Sequence, residues 1–337
     1  MSERARLRRA IPAALAVLAI AAGFARAGDT PAPPSVVRQS LDDAWWTGPM
    51  LAPSASTLPR GHFLIEPYLY DVSVRGRYDH DGVQRRAAGS HTFGSLTYVL
   101  YGLVDRVSLG LIPVVGYNTV SGGPSSSGVG LGDVTLQAQY RLTKFREGRW
   151  IPTTSIAVQE TIPTGRYDRL RDRPSDGFGG GAYSTTLALY SQTYFWLPNG
   201  RILRMRVNVS QAFSGRANVT DVSVYGTGEG FRGQAKPGSS LFLNAAWEYS
   251  VTRKWVLALD ATYRHDGNTR VSGYEVLGPT RSSLRLDSAS SHAFGLAPAI
   301  EYNWKPNLGV LIGTRVIPAG RNTAFTVTPA VAINYVH

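Results

Sequence analysis

Residues 241–264, LFLNAAWEYSVTRKWVLALDATYR, constrain the fold of this chain more than any other stretch. Leu241, Leu243, Ala245, Trp247 and Tyr249 share one parity, while Asn244, Ala246 and Glu248 on the other are small or polar. The pattern breaks at Val251-Thr252-Arg253 and resumes with Trp255, Leu257, Leu259, Ala261 and Tyr263 against Asp260, Thr262 and Arg264. Alternation with period two marks a strand with one apolar face. Each run is about eleven residues, the length a tilted strand needs to cross a bilayer core. Aromatic residues stand at the ends of the runs, as interfacial girdle residues do. A hairpin of a soluble β-sandwich would look the same in isolation, so the repeat along the chain decides.

The unit does repeat. Strands are predicted at 62–70, 92–103, 106–117, 130–142, 150–162, 182–196, 201–213, 241–249, 255–264, 291–304, 308–317 and 322–337, twelve in all. The breaks after the even-numbered strands are short, such as Val104-Asp105 and Pro198-Asn199-Gly200, which reads as a tight turn. Those after the odd-numbered strands are mostly long, polar and Gly-rich: 71–90, 121–128, 163–180, 214–238 and 265–290, with a short one at 318–321. An even number of strands, with short turns on one side and long loops on the other, is the signature of an antiparallel transmembrane β-barrel of the outer-membrane type. A soluble sandwich has no reason to sort its connections this way. The short turns and both termini are then expected in the periplasm. Residues 71–77 and 271–285 would extend strands beyond the membrane, or raise the strand number if they pair further. Barrels of this kind usually end on an aromatic residue, so the terminal His337 departs mildly from the pattern.

The N-terminus gives the compartment. Arg4, Arg6, Arg8 and Arg9 precede an apolar run over 11–24 and then Ala25-Arg26-Ala27, the three parts of a secretory signal peptide, with cleavage expected after Ala27. The formal charge of +12 loses five Arg and one Glu with residues 1–27, leaving +8. An exported chain has little access to nucleic acid, so this charge points instead to loops facing anionic lipopolysaccharide, or to a lumen that draws anions. The absence of cysteine excludes disulfides and thiolate chemistry. Residues 28–60 are Pro- and Ser-rich without periodicity. They read as a periplasmic lead-in: either a disordered linker, or a segment that enters the barrel and plugs it, with Trp45 and Trp46 on the wall.

Several short motifs occur in order along the chain: Thr57-Leu58-Pro59-Arg60-Gly61-His62, Gly132-Asp133-Val134, Ile162-Pro163-Thr164-Gly165-Arg166-Tyr167-Asp168, and the glycine run Asp176-Gly177-Phe178-Gly179-Gly180-Gly181. Together they make residues 57–337 resemble the outer-membrane barrel family named for the meta-pathway of phenol degradation, whose members are often labelled transporters. The resemblance implies a porin-like barrel for hydrophobic or aromatic solutes. It implies no catalysis and carries no catalytic residues.

On the inward parity the sequence offers Glu66, Tyr68, Asp133, Gln137, Gln139, Arg141, Arg204, Arg206, Asn208, Asn244, Glu248, Asp260, Arg264, Glu301, Asn303 and Arg315. Such a set either satisfies itself in ion pairs or lines a permeation path. Arg141, Arg204, Arg206 and Arg264 are the first candidates for favouring anions, with Asp133, Glu248, Asp260, Glu301 and Arg315 completing the selectivity set. Loop 163–180 interleaves Arg166, Arg169, Arg171 and Arg173 with Asp168, Asp172 and Asp176. It reads as solvated charge, as a lipid-headgroup contact or as a constriction; the arginines argue against calcium. Asp79-His80-Asp81 and His265-Asp266 at the rim could serve a surface hydrolase as a general base, but no opposing acid pair or Ser–His pair is evident. The expected function is therefore passive passage of small solutes, without enzyme activity, metal or cofactor. The expected partners are outer-membrane lipid and lipopolysaccharide, the barrel-assembly machinery at the C-terminal strand, and the solutes themselves. A closed structural or adhesion barrel is the alternative, and a surface hydrolase using His80 or His265 a further one.

Overall fold

A computed structural model describes residues 37–278 and 280–337. The expected signal peptide and its cleavage site lie outside them. Twelve antiparallel strands follow one another: β1 Phe63–Tyr78, β2 Ser90–Val104, β3 Val107–Ile112 continued as Val114–Val120, β4 Gly130–Leu131 continued as Val134–Thr143, β5 Thr153–Ile162 and β6 Ser184–Trp196. The ring continues with β7 Ile202–Ser214, β8 Ser240–Ser250, β9 Trp255–Asp266, β10 Ser291–Lys305, β11 Leu308–Arg321 and β12 Thr323–Val336. Each pairs with its sequence neighbours, and β1 pairs with both β2 and β12, which closes the barrel. The amide of His337 donates to Phe63 O at 2.9 Å and that of Phe63 to His337 O at 3.2 Å, so the terminal histidine completes the seam. β3 is split at Pro113, which has no N–H for the ladder.

The alternation seen in the sequence is the inside–outside alternation of the wall. Leu257, Leu259, Leu296, Ile300 and Ile312 are exposed on the outer face, while Val256, Ala258, Asp260, Ala297 and Glu301 are buried within. Trp255, Tyr302 and Trp304 cluster at the turn end with ring centroids 4.6 and 5.4 Å apart. Tyr263 and Phe294 sit 5.0 Å apart toward the loop end, so aromatics bracket the apolar belt.

One boundary differs from expectation. Residues 318–321 belong to β11 and pair with β10, and the reversal into β12 takes the single residue Asn322, whose φ of +51° suits asparagine better than most side chains. As expected of residues 71–77, β1 runs on to Tyr78, where Arg77 and Tyr78 still pair with Ala324 and Thr323. Residues 214–238 and 265–290 each rise as a hairpin. Ala217–Thr220, Phe231–Lys236, Arg270–Leu277 and Thr280–Asp287 form a separate four-stranded sheet at the loop end, so the ring stays at twelve. Val219, Phe231, Ala235 and Val271 make its small core.

An arginine in the middle of the outer belt must enter hydrocarbon. Ile300→Arg is expected to lower folding stability by about 2–4 kcal/mol, measured by urea titration in lipid vesicles, whereas Ile300→Leu should leave it nearly unchanged.

Candidate functional site

Residues 38–60 form an arch through the turn half of the lumen. It starts beside the β6–β7 and β8–β9 turns, where the Gln39 side chain donates to Ser250 Oγ at 2.8 Å and the Trp196 indole donates to Gln39 O at 2.8 Å. It returns to the turn end at β2–β3, where Thr57 Oγ1 donates to Asp105 O and the Leu58 amide to Ser108 Oγ. Apart from a short 3₁₀ turn at Leu41–Asp43 the arch has no secondary structure, so its backbone groups need partners from the wall.

The wall supplies them in two halves. On the first, amides meet carboxylates: Thr47 and Gly48 both donate to Glu301 Oε2, at 2.7 and 3.0 Å, and Leu51 donates to Asp260 Oδ2 at 3.3 Å. On the second, carbonyls meet side-chain donors. Ala52 O accepts from Arg206 Nη1 at 2.6 Å, Pro53 O from Asn208 Nδ2 at 2.9 Å, Ser54 O from Gln139 Nε2 at 3.0 Å, and Ala55 O from the Ser155 hydroxyl. Glycines open the space. Gly48 has φ +125° against the Arg206 guanidinium, and a Cβ on Gly309 would lie 2.1 Å from Thr47 Oγ1.

Beneath the arch one carboxylate is paired with two arginines. Glu248 is fully buried and accepts from Arg204 Nε at Oε2 (2.6 Å) and from Arg204 Nη2 at Oε1, while Arg206 Nε stands 3.2 Å from the same Oε2. The Arg204 guanidinium also lies 4.3 Å over the Trp46 ring. Trp45 is held by its amide, which donates to Arg253 O at 3.0 Å. Arg204 and Arg206 are thus buried struts at 6% and 5% exposure, holding Glu248 and the arch, rather than free charges facing water.

The other sequence candidates scatter. Asp133, at the loop end, accepts from the amides of Gly165 (2.9 Å) and Gly180 (2.7 Å) and so pins loop 163–180. Arg264 pairs with Asp266 at 2.9 Å. Arg141 is half-buried and, among the described residues, has no ion-pair partner. Loop 163–180 is fastened on several sides. Asp176 accepts from the Ser127 amide at 2.7 Å, which holds its carboxyl below the usual range, and Asp168 accepts from the Thr220 amide at 3.1 Å. The carboxylates Asp168 and Asp176 therefore serve separate backbone segments instead of converging on an ion. At the rim, Asp79 is taken up by Arg85 and the Val83 amide, and His265 Nδ1 lies 3.1 Å from Ser291 O.

Above the arch lies a chamber of about 340 Å³ between β1, β2, β11 and β12. Met50 and Leu51 of the arch face it, and Tyr68, Tyr70, Leu96 and Tyr98 line its wall. Tyr70, Leu96 and Tyr98 were not among the sequence candidates. The signal was present, since Tyr68, Tyr70 and Val72 put an apolar and aromatic row on the inward parity of β1.

A closed ring with an apolar outer belt, aromatic girdles and a polar interior defines a transmembrane β-barrel of the outer-membrane type. The chain belongs to the family described as "Putative MetA-pathway of phenol degradation", whose model matches residues 74–331. Among solved structures, an outer membrane channel from Pseudomonas putida is similar, with a TM-score of 0.63 at 15% identity over 86% of this chain and 100% of that one. The β domain of the Bordetella autotransporter BrkA gives 0.42 at 11% identity, over 82% of this chain and 99% of that one. A variant of the monoaromatic hydrocarbon channel TodX gives 0.39 at 11%, over 82% and 91%. At such identities the likeness is one of fold. No curated protein matches the chain.

Glu248→Gln removes the charge that compensates Arg204 and Arg206. Leaving them buried without it is expected to cost about 3–5 kcal/mol, read as an earlier midpoint in chemical denaturation. Glu160→Gln, at the loop end of β5, should cost much less.

Proposed function

We propose that the protein is a porin-like outer-membrane barrel for passive passage of small aromatic or otherwise hydrophobic solutes, with residues 38–60 as its internal gate. The observation that carries this reading is the apolar, tyrosine-lined chamber that the arch floors. A barrel closed only for structural reasons would fill this space with paired polar groups or bulky side chains. Family membership agrees with the reading, since the family takes its name from the degradation of an aromatic compound. Passage needs positioning and a polar–apolar path but no bond-making, so no residue is assigned a catalytic role. The chain is then exported by its signal peptide, cleaved after Ala27, and inserted in the outer membrane of a Gram-negative bacterium. The C-terminal strand is its contact with the barrel-assembly machinery, and the basic loops are its contact with lipopolysaccharide.

The number of bonds between arch and wall also favours a second reading, a barrel that stays closed. The two part on one experiment. Removing residues 38–56 takes away the arch and keeps the run that leads into β1. Planar-bilayer conductance of the shortened protein is expected to rise several-fold over the full chain, with neutral aromatics such as phenol entering liposomes faster. Equal, silent bilayers for two folded proteins would sink the passage reading and leave the closed barrel.

A further inference from the structure

We propose that the chamber above the arch is a binding site for a single-ring aromatic carboxylate, with the carboxylate on Arg315 and the ring among Tyr68, Tyr70 and Tyr98. The inference rests on the passage reading and names the class of solute that the lumen selects.

Arg315 is the one charged residue in the chamber wall. It projects inward from β11, on the parity of the buried Leu311 and Ile317, opposite Thr328 of β12. Its Nε is buried without a hydrogen-bond partner, and among the described residues no carboxylate lies within 4.0 Å of its guanidinium. The neighbouring charges are already engaged. Asp260 accepts from Asn244 Nδ2 at 3.0 Å and from the Leu51 amide, and Arg264 is paired with Asp266. Arg204 and Arg206 meet Glu248, whereas Arg315 meets nothing comparable. A guanidinium partly withdrawn from water gains from a counter-charge, and its planar fork fits a carboxylate with two parallel hydrogen bonds. The wall around it rejects a hydrated inorganic ion, because Met50, Leu51, Leu96 and Val72 offer that ion nothing in place of its water.

The aromatic side of the site is equally defined. Tyr68 and Tyr98 meet edge to face, 6.1 Å apart at 76°, which leaves ring faces and edges available to a third ring. Tyr70 lies flat against Gly94 of β2, where a Cβ would come within 2.5 Å of its ring, so the absent side chain holds the tyrosine back against the wall. A cavity of about 150 Å³ is enough for benzene, and 340 Å³ leaves room for one ring with a carboxylate. A ring without charge would leave Arg315 bare, and a small anion without a ring would leave the tyrosine wall unused. The two halves together select the amphiphile.

The test is equilibrium binding of benzoate, benzyl alcohol and acetate to the folded full chain in detergent micelles, followed by calorimetry, with benzyl alcohol influx into liposomes measured on the same preparations. Benzoate is expected to bind at least tenfold more tightly than either of the others. Arg315→Met should abolish that preference and leave benzyl alcohol as it was. Arg315→Lys keeps the charge without the fork and should lose only part of it, which preserves the test if the methionine variant does not fold. Benzoate binding that is absent in the wild type, or unchanged in both folded variants, overturns the site. Benzyl alcohol influx without benzoate preference would sink this inference alone. Benzoate binding without benzyl alcohol influx, in both the full chain and the protein lacking residues 38–56, would sink the passage reading and keep the site.

Discussion

No water reaches the hydrocarbon core of a membrane, so each backbone N–H and C=O placed there must find its partner within the protein. This chain meets the requirement with a ring in which β1 pairs on both edges, and the seam carries hydrogen bonds down to the last residue. The rest follows from the closure. A closed ring has two faces, so the wall alternates, and the outer set is apolar because it meets lipid. The inner set is freed from that demand and can carry Glu248, Asp260, Glu301 and several arginines.

The same accounting governs the interior. The arch is a coil with prolines at 49 and 53, and it offers its own backbone donors and acceptors to the barrel wall. The lumen answers with acids where the arch presents amides, and with amide, hydroxyl and guanidinium donors where it presents carbonyls. An unmade bond of this sort costs more than a made one contributes. The arch can therefore leave only if water enters behind it. On the proposed reading it is then a gate with two defined states, bonded to the wall or replaced by solvent, rather than a flap of continuous positions.

The twelve strands were legible because period-two alternation over about ten residues is hard to produce otherwise. A boundary was missed where the membrane stops enforcing that alternation. Pro318 to Arg321 are turn-like in type, yet they stay in the ladder because β10 continues opposite them. The inward parity of Arg204, Arg206 and Glu248 could be read from the sequence, but their pairing could not. Arg204 faces Glu248 directly across β7 and β8, and that register is fixed by where residues 214–238 turn back. The course of the arch left least trace, because most of its bonds use backbone atoms, which have no residue signature; Trp45 and Trp46 were its only cue. The chamber was hidden for another reason. Tyrosines on an inward parity look like wall filling until the space between them and Met50 and Leu51 of the arch is seen to be open.

A count of lumen arginines therefore misleads about selectivity. Arg204 and Arg206 are spent on Glu248 and on the carbonyl of Ala52, and Arg264 on Asp266. What a solute meets is the remainder after these pairings, at the place where the lumen is open. In that chamber the remainder is Arg315 set among tyrosines. An uncompensated charge acts on a passing solute over several ångströms of apolar surroundings, whereas a paired one is largely cancelled at the same distance. On the proposed passage reading, selectivity follows the inward charge that the fold leaves without a partner.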